Sequence, residues 1–263
     1  FKQKTAYEIK ECDWSSDVCS SDLLEAAGAD IVDVGGESTR PGAAAVSIAE
    51  ESARVLPVVR QLARQIRVPI SVDTTKALVA RASIESGAAI VNDISGLQYD
   101  AAMGAVLAET GAAVVLMHMR GTPQAMYDQA SYQDVVADVV AELKDAVQRA
   151  VTAGVEPVSI ILDPGIGFAK RAAHSYGVLA RLAELVLGVG RPVLVGPSRK
   201  SFLQEALGEC PAPERDWGTA AAVTAAVLAG AHIVRVHAVA EMTQVVRVAE
   251  AIRRHNSTDP TPA

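Results

Sequence analysis

The sequence contains few cysteines and no long apolar run. Of its 263 residues only 3 are cysteine, and Cys12 and Cys19 lie within the first 22 residues, which leaves Cys210 in the body of the chain. This number and spacing fit neither a disulfide framework nor a zinc site, so we expect a reducing, cytoplasmic location. No uninterrupted apolar stretch reaches the roughly 18–20 residues that a membrane-spanning helix needs, which predicts no membrane partner.

Aromatic residues and positive charge are also scarce. Aromatic residues make up 4% of the chain and hydrophobic residues 50%, a composition that favours helices packed closely on a sheet over an aromatic-rich all-β core. The formal net charge is −7, which argues against general binding to nucleic acid or to anionic membranes. A local basic pocket for an anionic substrate remains compatible with this charge.

Common nucleotide and metal motifs are missing. The segment DPGIGF at 163–168 lacks the G-x-x-x-x-G-K-[ST] spacing of a phosphate loop, and VDVGGEST at 32–39 lacks the G-x-G-x-x-G fingerprint of dinucleotide sites. No H-E-x-x-H or Cys/His ligand set is present. The sequence therefore predicts neither an ATP site nor a zinc-type catalytic centre.

The body of the chain alternates strand and helix patterns. Apolar runs bounded by glycine or polar residues predict buried parallel strands within 31–34, 68–75, 88–96, 112–121, 158–168, 191–202 and 231–239. Helical periods separate or follow these runs, among them one near 179–187 and a last one at 245–254, so the sheet should be parallel. A doubly wound sheet and a TIM (β/α)8 barrel both fit. Polar residues after every strand favour the barrel, since a doubly wound sheet would concentrate them at one switch point.

The first 22 residues differ from everything that follows. They carry Trp14, two of the cysteines and a Ser-Asp run, without a helical or strand period. They resemble translated sequencing-adapter read-through, although a genuine divergent extension is the alternative. We predict a non-native or disordered head at 1–22, a barrel at 23–255 and a disordered tail at 256–263. Because the body supplies one strand fewer than eight, we expect the first β-strand unit to be missing or replaced.

Polar side chains at the predicted strand ends suggest a binding site. Asp73, Asn92 and Asp163 each follow an apolar run, where a buried carboxylate costs several kcal/mol unless it is paired. Two carboxylates and an amide at one barrel mouth suit a ligand rich in N–H donors, such as an aminopyrimidine ring. Lys200 could bind the carbonyl of that ring.

Cationic side chains suggest an anion site nearer the rim. Arg40, Arg235 and His237 offer donors to anionic oxygens, and arginine can bind phosphate with two hydrogen bonds. Taken singly, a strand-end Asp is more often a helix N-cap and His237 a satisfied core histidine. The recurrence of such residues on successive strand ends favours a site. We assign no catalytic role to His118.

Six motifs resemble, in order, those of the dihydropteroate synthase family. They are DVGGESTRPG (33–42), SVDTTK (71–76), VNDISG (91–96), DPGIGFAK (163–170), GPSRKSF (196–202) and RVHAV (235–239). The resemblance implies condensation of 6-hydroxymethyl-7,8-dihydropterin diphosphate with 4-aminobenzoate in folate biosynthesis, with sulfonamides competing for the aminobenzoate position. It also implies Mg²⁺ as cofactor and a homodimer.

The same resemblance implies three groups of site residues. Those of the pterin pocket are Asp73, Asn92, Ile94, Met117, Asp163, Gly196 and Lys200. Those of the diphosphate site are Asn92, Arg235 and His237. Those of the aminobenzoate site are Thr39, Arg40, Pro41, Phe168 and Ser198. Lys200, Arg235 and His237 would carry catalysis by positioning and electrostatic stabilisation, without a strong general base.

The chain departs from the family pattern mainly in its first unit. The family's N-x-T-P-D-S-F stretch, which supplies an Asn for metal and diphosphate, is not found. We therefore assign no metal ligand and expect impaired Mg²⁺ binding, closure and turnover. Ser175 stands where the family usually has Asn, and Pro197 lies within GPSRK. The alternatives are a pterin-dependent methyltransferase, which would have no diphosphate to hold, and an inactive pterin-binding protein.

Overall fold

The computed structural model describes residues 4–10, 24–39 and 44–256. Its strands are β1 Lys4–Lys10, β2 Ile31–Gly35, β3 Ile70–Asp73, β4 Ile90–Asp93, β5 Ala113–Met117, β6 Ile160–Asp163, β7 Leu194–Val195 and β8 Ile233–Val236. Its helices are α1 Ile48–Gln65, α2 Ala77–Glu85, α3 Met103–Thr110, α4 Val135–Thr152, α5 Ala172–Ala180, α6 Leu182–Val189, α7 Gln204–Leu207, α8 Asp216–Leu228 and α9 Val239–Asn256. None of the helices in these ranges is long and apolar enough to cross a bilayer.

The eight strands form one parallel sheet that closes into a ring. Their order is β6-β5-β4-β3-β2-β1-β8-β7, and Leu162 of β6 forms a parallel bridge with Val193, just before β7. The Leu162 amide donates to the Pro192 carbonyl at 2.9 Å. This bridge joins the two ends of the strand order, so the predicted TIM barrel is confirmed.

The first position in the ring is taken by part of the predicted head. Strand β1 pairs in parallel with β2 on one side and with β8 on the other. We expected the first strand unit to be either missing or replaced. It is replaced, because residues 4–10 form the strand at that position. Residues 11–22 lie outside the described part of the chain. The division into head, barrel and tail stays a prediction.

Alternation along the strands separates an outer core from the barrel interior. In β2, Val32 and Val34 belong to the large cluster under the helices, whereas Ile31 belongs to a separate interior cluster. That interior cluster comprises Ile31, Ile90, Val115, Leu194 and Ile233, with Ala113 and Ile161 packed against it. Two residues further along β2, β4, β6 and β8, the inward positions are held by Asp33, Asn92, Asp163 and Arg235. An apolar floor thus lies beneath a polar layer at the C-terminal mouth.

Helix α1 illustrates how the outer layer forms. Ser47 caps it, with its hydroxyl accepting from the Glu50 amide at 3.2 Å, and acidic residues fill the first turn, where the helix dipole favours negative charge. Val55, Val59 and Leu62 recur at helical spacing and are buried. The helix therefore covers the outer face of the neighbouring strands with one apolar stripe.

The sequence prediction is wrong at two helix boundaries. The helix predicted around 179–187 is two helices, α5 and α6, which break at Arg181, where φ is −112° and ψ is 24°. The last helix, predicted from Val245, already begins at Val239. Neither end carries glycine or proline, so the sequence gives no signal for these boundaries. The second difference matters for the site, because α9 starts two residues after His237.

Removing residues 1–10 should destabilise the barrel, because β2 and β8 would each lose a hydrogen-bonded neighbour. We expect the melting temperature, followed by circular dichroism, to fall by at least about 5 °C, with self-association visible in gel filtration. A chain lacking only residues 257–263 is the control, since that deletion removes no described strand. Equal melting temperatures for the two deletions would show that β1 contributes nothing to the sheet.

Candidate active site

The guanidinium of Arg235 holds the polar layer together. Its Nε donates to Asp33 Oδ2 at 2.7 Å, and its Nη2 donates to Asp73 Oδ2 at 3.1 Å. Asn92 Nδ2 donates to the same Asp33 oxygen at 3.2 Å. Strand β8 is thus linked to β2, β3 and β4 across β1. Two carboxylates and one guanidinium sum to a charge of −1, so this side of the mouth keeps an excess of acceptors.

Two oxygens in this cluster lack a hydrogen-bond partner among the described residues. Asp33 Oδ1 and Asn92 Oδ1 are buried and have no hydrogen-bond partner among the residues that the structure describes. A buried polar atom without a partner costs about 1–3 kcal/mol, so both oxygens favour a bound donor or cation. A ligand rich in N–H groups, as the sequence predicts for the mouth, would supply such donors.

Across the ring, Asp163 and Lys200 flank the loop that follows β6. Asp163 Oδ1 accepts from the Gly165 amide at 2.6 Å, and Lys200 Nζ donates to the Ile166 carbonyl at 2.5 Å. Burial raises the pKa of Asp163, while the Lys200 charge and the Gly165 amide act in the opposite direction. Lys200 Nζ also lies 4.3 Å from the centre of the Phe168 ring.

An apolar wall stands between these two polar sides. Ile94 and Met117, both predicted for the pterin pocket, cluster with Met119, Met126 and Ala169, and Phe168 packs against them. The predicted Gly196 is buried, and an added Cβ there would meet Arg235 Cβ at 3.7 Å. A flat ligand could therefore lie against the wall and still reach polar atoms on either side.

Two residues predicted for different subsites are in direct contact. Ser198 Oγ lies 2.8 Å from His237 Nδ1 and accepts from the His237 amide at 3.3 Å. The hydroxyl has two lone pairs and one proton, so the direction of its hydrogen bond with Nδ1 follows the tautomer of His237. Arg199, by contrast, donates from Nε and Nη2 to the two oxygens of Asp216, each at 2.7 Å. This ion pair turns the Arg199 side chain toward helix α8, which begins at Asp216.

The loop after β2 is only partly described. Thr39 is half-buried at the end of its described segment, and the predicted Arg40 and Pro41 lie outside the described residues. The base of the loop is held by Lys76, whose ammonium binds Glu37 and the buried Glu51. Burial alone would lower the pKa of Lys76, but hydrogen bonds and attraction to the two glutamates outweigh it and raise that pKa.

Sequence reasoning missed Asp33 and Lys170. Asp33 was detectable, because it places a carboxylate inside the apolar run 31–34. Lys170 is only 1% exposed, and its Nζ lies 2.8 Å from His118 Nδ1 and 3.2 Å from the Phe168 carbonyl oxygen. Burial lowers the pKa of Lys170 to about 7. Burial and the Lys170 charge together lower the pKa of His118 to about 4.

The sequence is similar to a defined family and to curated relatives within it. The profile of the family described as pterin binding enzyme matches residues 12–237. A dihydropteroate synthase from Synechocystis sp. is 46% identical over 227 residues, which cover 86% of this chain and 78% of that relative. The Escherichia coli dihydropteroate synthase is 47% identical over 231 residues, which cover 88% of this chain and 81% of that relative.

Solved structures show the same architecture. A Yersinia pestis dihydropteroate synthase in complex with a sulfonamide drug aligns with a TM-score of 0.92 at 38% identity, covering 96% of this chain and 95% of that one. A Xanthomonas albilineans dihydropteroate synthase with 4-aminobenzoic acid aligns with a TM-score of 0.90 at 35% identity, covering 98% and 94%. Both alignments span nearly the whole barrel.

A pair of glycine substitutions would test the packing of the loop after β6. Gly165 has φ +67°, and a Cβ there would lie 2.1 Å from the His118 carbonyl oxygen. Gly190 has a similar φ of +61°, with no described atom within 4 Å of its would-be Cβ. We expect Gly190→Ala to lower the free energy of unfolding by about 1 kcal/mol through backbone strain alone. Gly165→Ala should lower it by at least ~3 kcal/mol, because the loop must also move.

Denaturant unfolding followed by circular dichroism would provide both values. The two glycines share the left-handed conformation, so their difference isolates the steric clash. Losses of the same size would contradict the close approach of Gly165 to His118.

Proposed function

This chain belongs to the pterin-binding enzyme family, among the dihydropteroate synthases, and we propose on that basis that it condenses 6-hydroxymethyl-7,8-dihydropterin diphosphate with 4-aminobenzoate. The products are 7,8-dihydropteroate and diphosphate, as in folate biosynthesis, and sulfonamides would compete for the aminobenzoate position. The observation that supports this most directly is the pairing of Arg235 with Asp33 and Asp73 beside an Asn92 oxygen to which no described residue donates. It combines an anion donor with acceptors for a nitrogen heterocycle.

The pterin ring would bind deep in the mouth. Asp73, Asn92 and Asp163 would accept from the ring's N–H groups, and Lys200 would donate to its carbonyl. Ile94 and Met117 would lie against the flat face of the ring, with Gly196 leaving space beside Arg235. The buried Asn92 Oδ1 has no partner in the described part of the chain, which supports this assignment, because a ligand N–H would remove its desolvation cost.

The diphosphate would sit nearer the rim, with Arg235, His237 and Asn92. As it departs with the electron pair of the C–O bond, negative charge accumulates on its oxygens. The two carboxylates already orient Arg235, so its guanidinium needs no reorganisation when that charge develops. Asp33 would act as a positioning residue for Arg235.

The aminobenzoate would lie at the outer edge, against Phe168 and Ser198, with Thr39, Arg40 and Pro41 from the loop after β2. Its amine lone pair would form the new C–N bond to the pterin-stabilised cation left by diphosphate, and the amine would then lose a proton to solvent. Orientation of the two substrates and stabilisation of the leaving group would supply the catalysis. A dedicated strong base is not required for this sequence of steps.

Magnesium fits this arrangement as an ion that protein and substrate oxygens bind together. Within residues 24–39 and 44–256, no three His, Cys, Asp or Glu side chains lie close enough to hold a metal. Asp33 Oδ1, which has no partner among the described residues, is a hard donor, and Mg²⁺ commonly takes one or two protein oxygens together with substrate phosphates. Asp33 would hold the ion, which would neutralise charge on the diphosphate, while the Asn92 oxygen would serve the pterin.

A homodimer is supported by the outer face of α8. Trp217 is 87% exposed and Leu228 is 41% exposed, about three helical turns apart and thus on one face. Ala221 and Ala225 are exposed between them. A second copy of this chain would cover the apolar stripe. The cytoplasmic location expected from the cysteine pattern stays a proposal.

Replacing Arg235 or Lys200 with alanine should lower turnover at least ~100-fold, the scale for losing one preorganised charge contact. The assay measures diphosphate release with both substrates present. Arg60→Ala on the exposed face of α1 is the matched control and should keep the wild-type rate. Near-normal rates for Arg235→Ala would refute the site assignment. Pterin binding by the wild type without diphosphate release would point instead to an inactive pterin-binding protein.

Placing a charge on the α8 stripe should dissociate the dimer. We expect Trp217→Glu to shift sedimentation from dimer to monomer, because the buried carboxylate would have no partner. Leu78→Glu is the control, since Leu78 is also a large exposed apolar residue, 62% exposed, but lies on α2. A dimer that survives Trp217→Glu would place the interface elsewhere.

A further inference from the structure

The loop that joins β6 to α5, residues 164–171, adopts an unfavourable backbone conformation. Gly165 and Gly167 have φ of +67° and +78°, and the buried Ala169 has φ of +47°. Glycine adopts such angles at little cost, but a left-handed alanine costs roughly 1–2 kcal/mol. Side-chain contacts must therefore hold this conformation, which presents Phe168 between Lys200 and the apolar wall.

Side chains bind the loop backbone on both sides of Phe168. Tyr132 Oη donates to the Ala169 carbonyl at 2.8 Å, and Lys170 Nζ donates to the Phe168 carbonyl at 3.2 Å. The Gly167 amide donates to the Ser175 hydroxyl at 3.2 Å. The two carbonyls next to the strained alanine thus both have partners.

Lys170 is itself fixed by a chain of hydrogen bonds with a defined direction. The Glu142 carboxylate can only accept, so the proton of a neutral His118 lies on Nε2, which donates to Glu142 Oε2 at 3.0 Å. Nδ1 of that ring carries no proton and therefore accepts from Lys170 Nζ at 2.8 Å. The depressed pKa of His118, which comes first from burial and then from Lys170, agrees with a neutral ring in this role.

This series of hydrogen bonds ends on helix α4, at the ion pair between Glu142 and Arg120. Arg120 Nε donates to Glu142 Oε1 at 2.9 Å, and the Arg120 guanidinium lies 4.1 Å from the centre of the Tyr132 ring. Burial alone would raise the pKa of Glu142, but hydrogen bonds from His118 and Arg120 lower it to about 2. Glu142 is therefore anionic at ordinary pH, and the same arginine supports both contacts to the loop.

We propose that Lys170 is a positioning residue for the aminobenzoate site, which it controls by fixing the loop backbone that presents Phe168. The proposal rests on the proposed function, because that function assigns Phe168 to the aminobenzoate. Lys170 is too deeply buried to contact a substrate, so its influence passes through Phe168. The pterin contacts Asp73 and Asn92 lie across the ring and should be affected much less.

Lys170→Met tests this by removing the donor while keeping a long side chain. We expect the KM for 4-aminobenzoate to rise roughly tenfold or more, the scale for losing a charged hydrogen bond. The KM for the pterin diphosphate should change by less than about threefold. Lys144→Met, an exposed lysine on α4, is the matched control and should leave both values unchanged. A similar change in both KM values, or a change in kcat alone, would overturn the proposal.

Glu142→Gln provides a second test that does not depend on the buried lysine. Glu142 is partly exposed, so the neutral isostere should fold, and it weakens the support of His118 and hence of Lys170. The KM for 4-aminobenzoate should rise about threefold, again with little change for the pterin diphosphate. If Lys170→Met does not fold, Glu142→Gln alone tests the proposal. An unchanged KM for 4-aminobenzoate in Glu142→Gln would then reject it.

The proposed function and this inference can fail separately. Diphosphate release by the wild type tests the function. Calorimetric titration with 4-aminobenzoate measures its Kd for wild type, Lys170→Met and Lys144→Met without any turnover. A Kd raised only in Lys170→Met supports the positioning role even for an inactive chain, and equal Kd values in all three would overturn it.

Discussion

The ion pairs that join Arg235 to Asp33 and Asp73 are the interaction on which the mouth of the barrel depends. The last strand of the ring reaches across β1 to β2 and β3 through this one side chain. Breaking a buried pair by removing one partner costs about 3–5 kcal/mol, so the arrangement is strongly held. The same contacts fix the orientation of the guanidinium and leave one oxygen each of Asp33 and Asn92 without a hydrogen bond from any residue that the structure describes. The side chains that hold the mouth of the barrel together are therefore the same ones that we propose to contact the ligands.

The polar layer owes its position to strand register. Asp73 pairs with Asn92, and Met117 pairs with Asp163, in the parallel ladders. Because side chains alternate along each strand, a slip of one residue would turn such a residue away from the interior. The apolar floor beneath them resists that slip, since Ile31, Ile90 and Ile233 would leave the interior at the same time. Ordinary hydrophobic burial thus keeps costly charges aligned at the mouth.

Much of this was predictable from sequence because the information is local. Seven of the strands follow from apolar runs, and Asp73, Asn92, Asp163 and Arg235 stand at or near their ends. The contact between His118 and Lys170 was not predictable, because the two residues lie 52 positions apart and no sequence period connects them. Strand β1 was also missed, because residues 4–10 carry no recognisable strand period and pair only with segments far along the chain.

The ring is joined most thinly between β6 and β7. Strand β7 has two residues, and a single isolated bridge connects Leu162 to Val193. Lys200 Nζ, bound to the Ile166 carbonyl at 2.5 Å, spans the same seam from the loop above it and compensates for the short ladder. Lys200 thus helps to close the barrel, in addition to the pterin contact that we propose for it. A substitution at this position should therefore loosen the seam between β6 and β7 even when no substrate is bound.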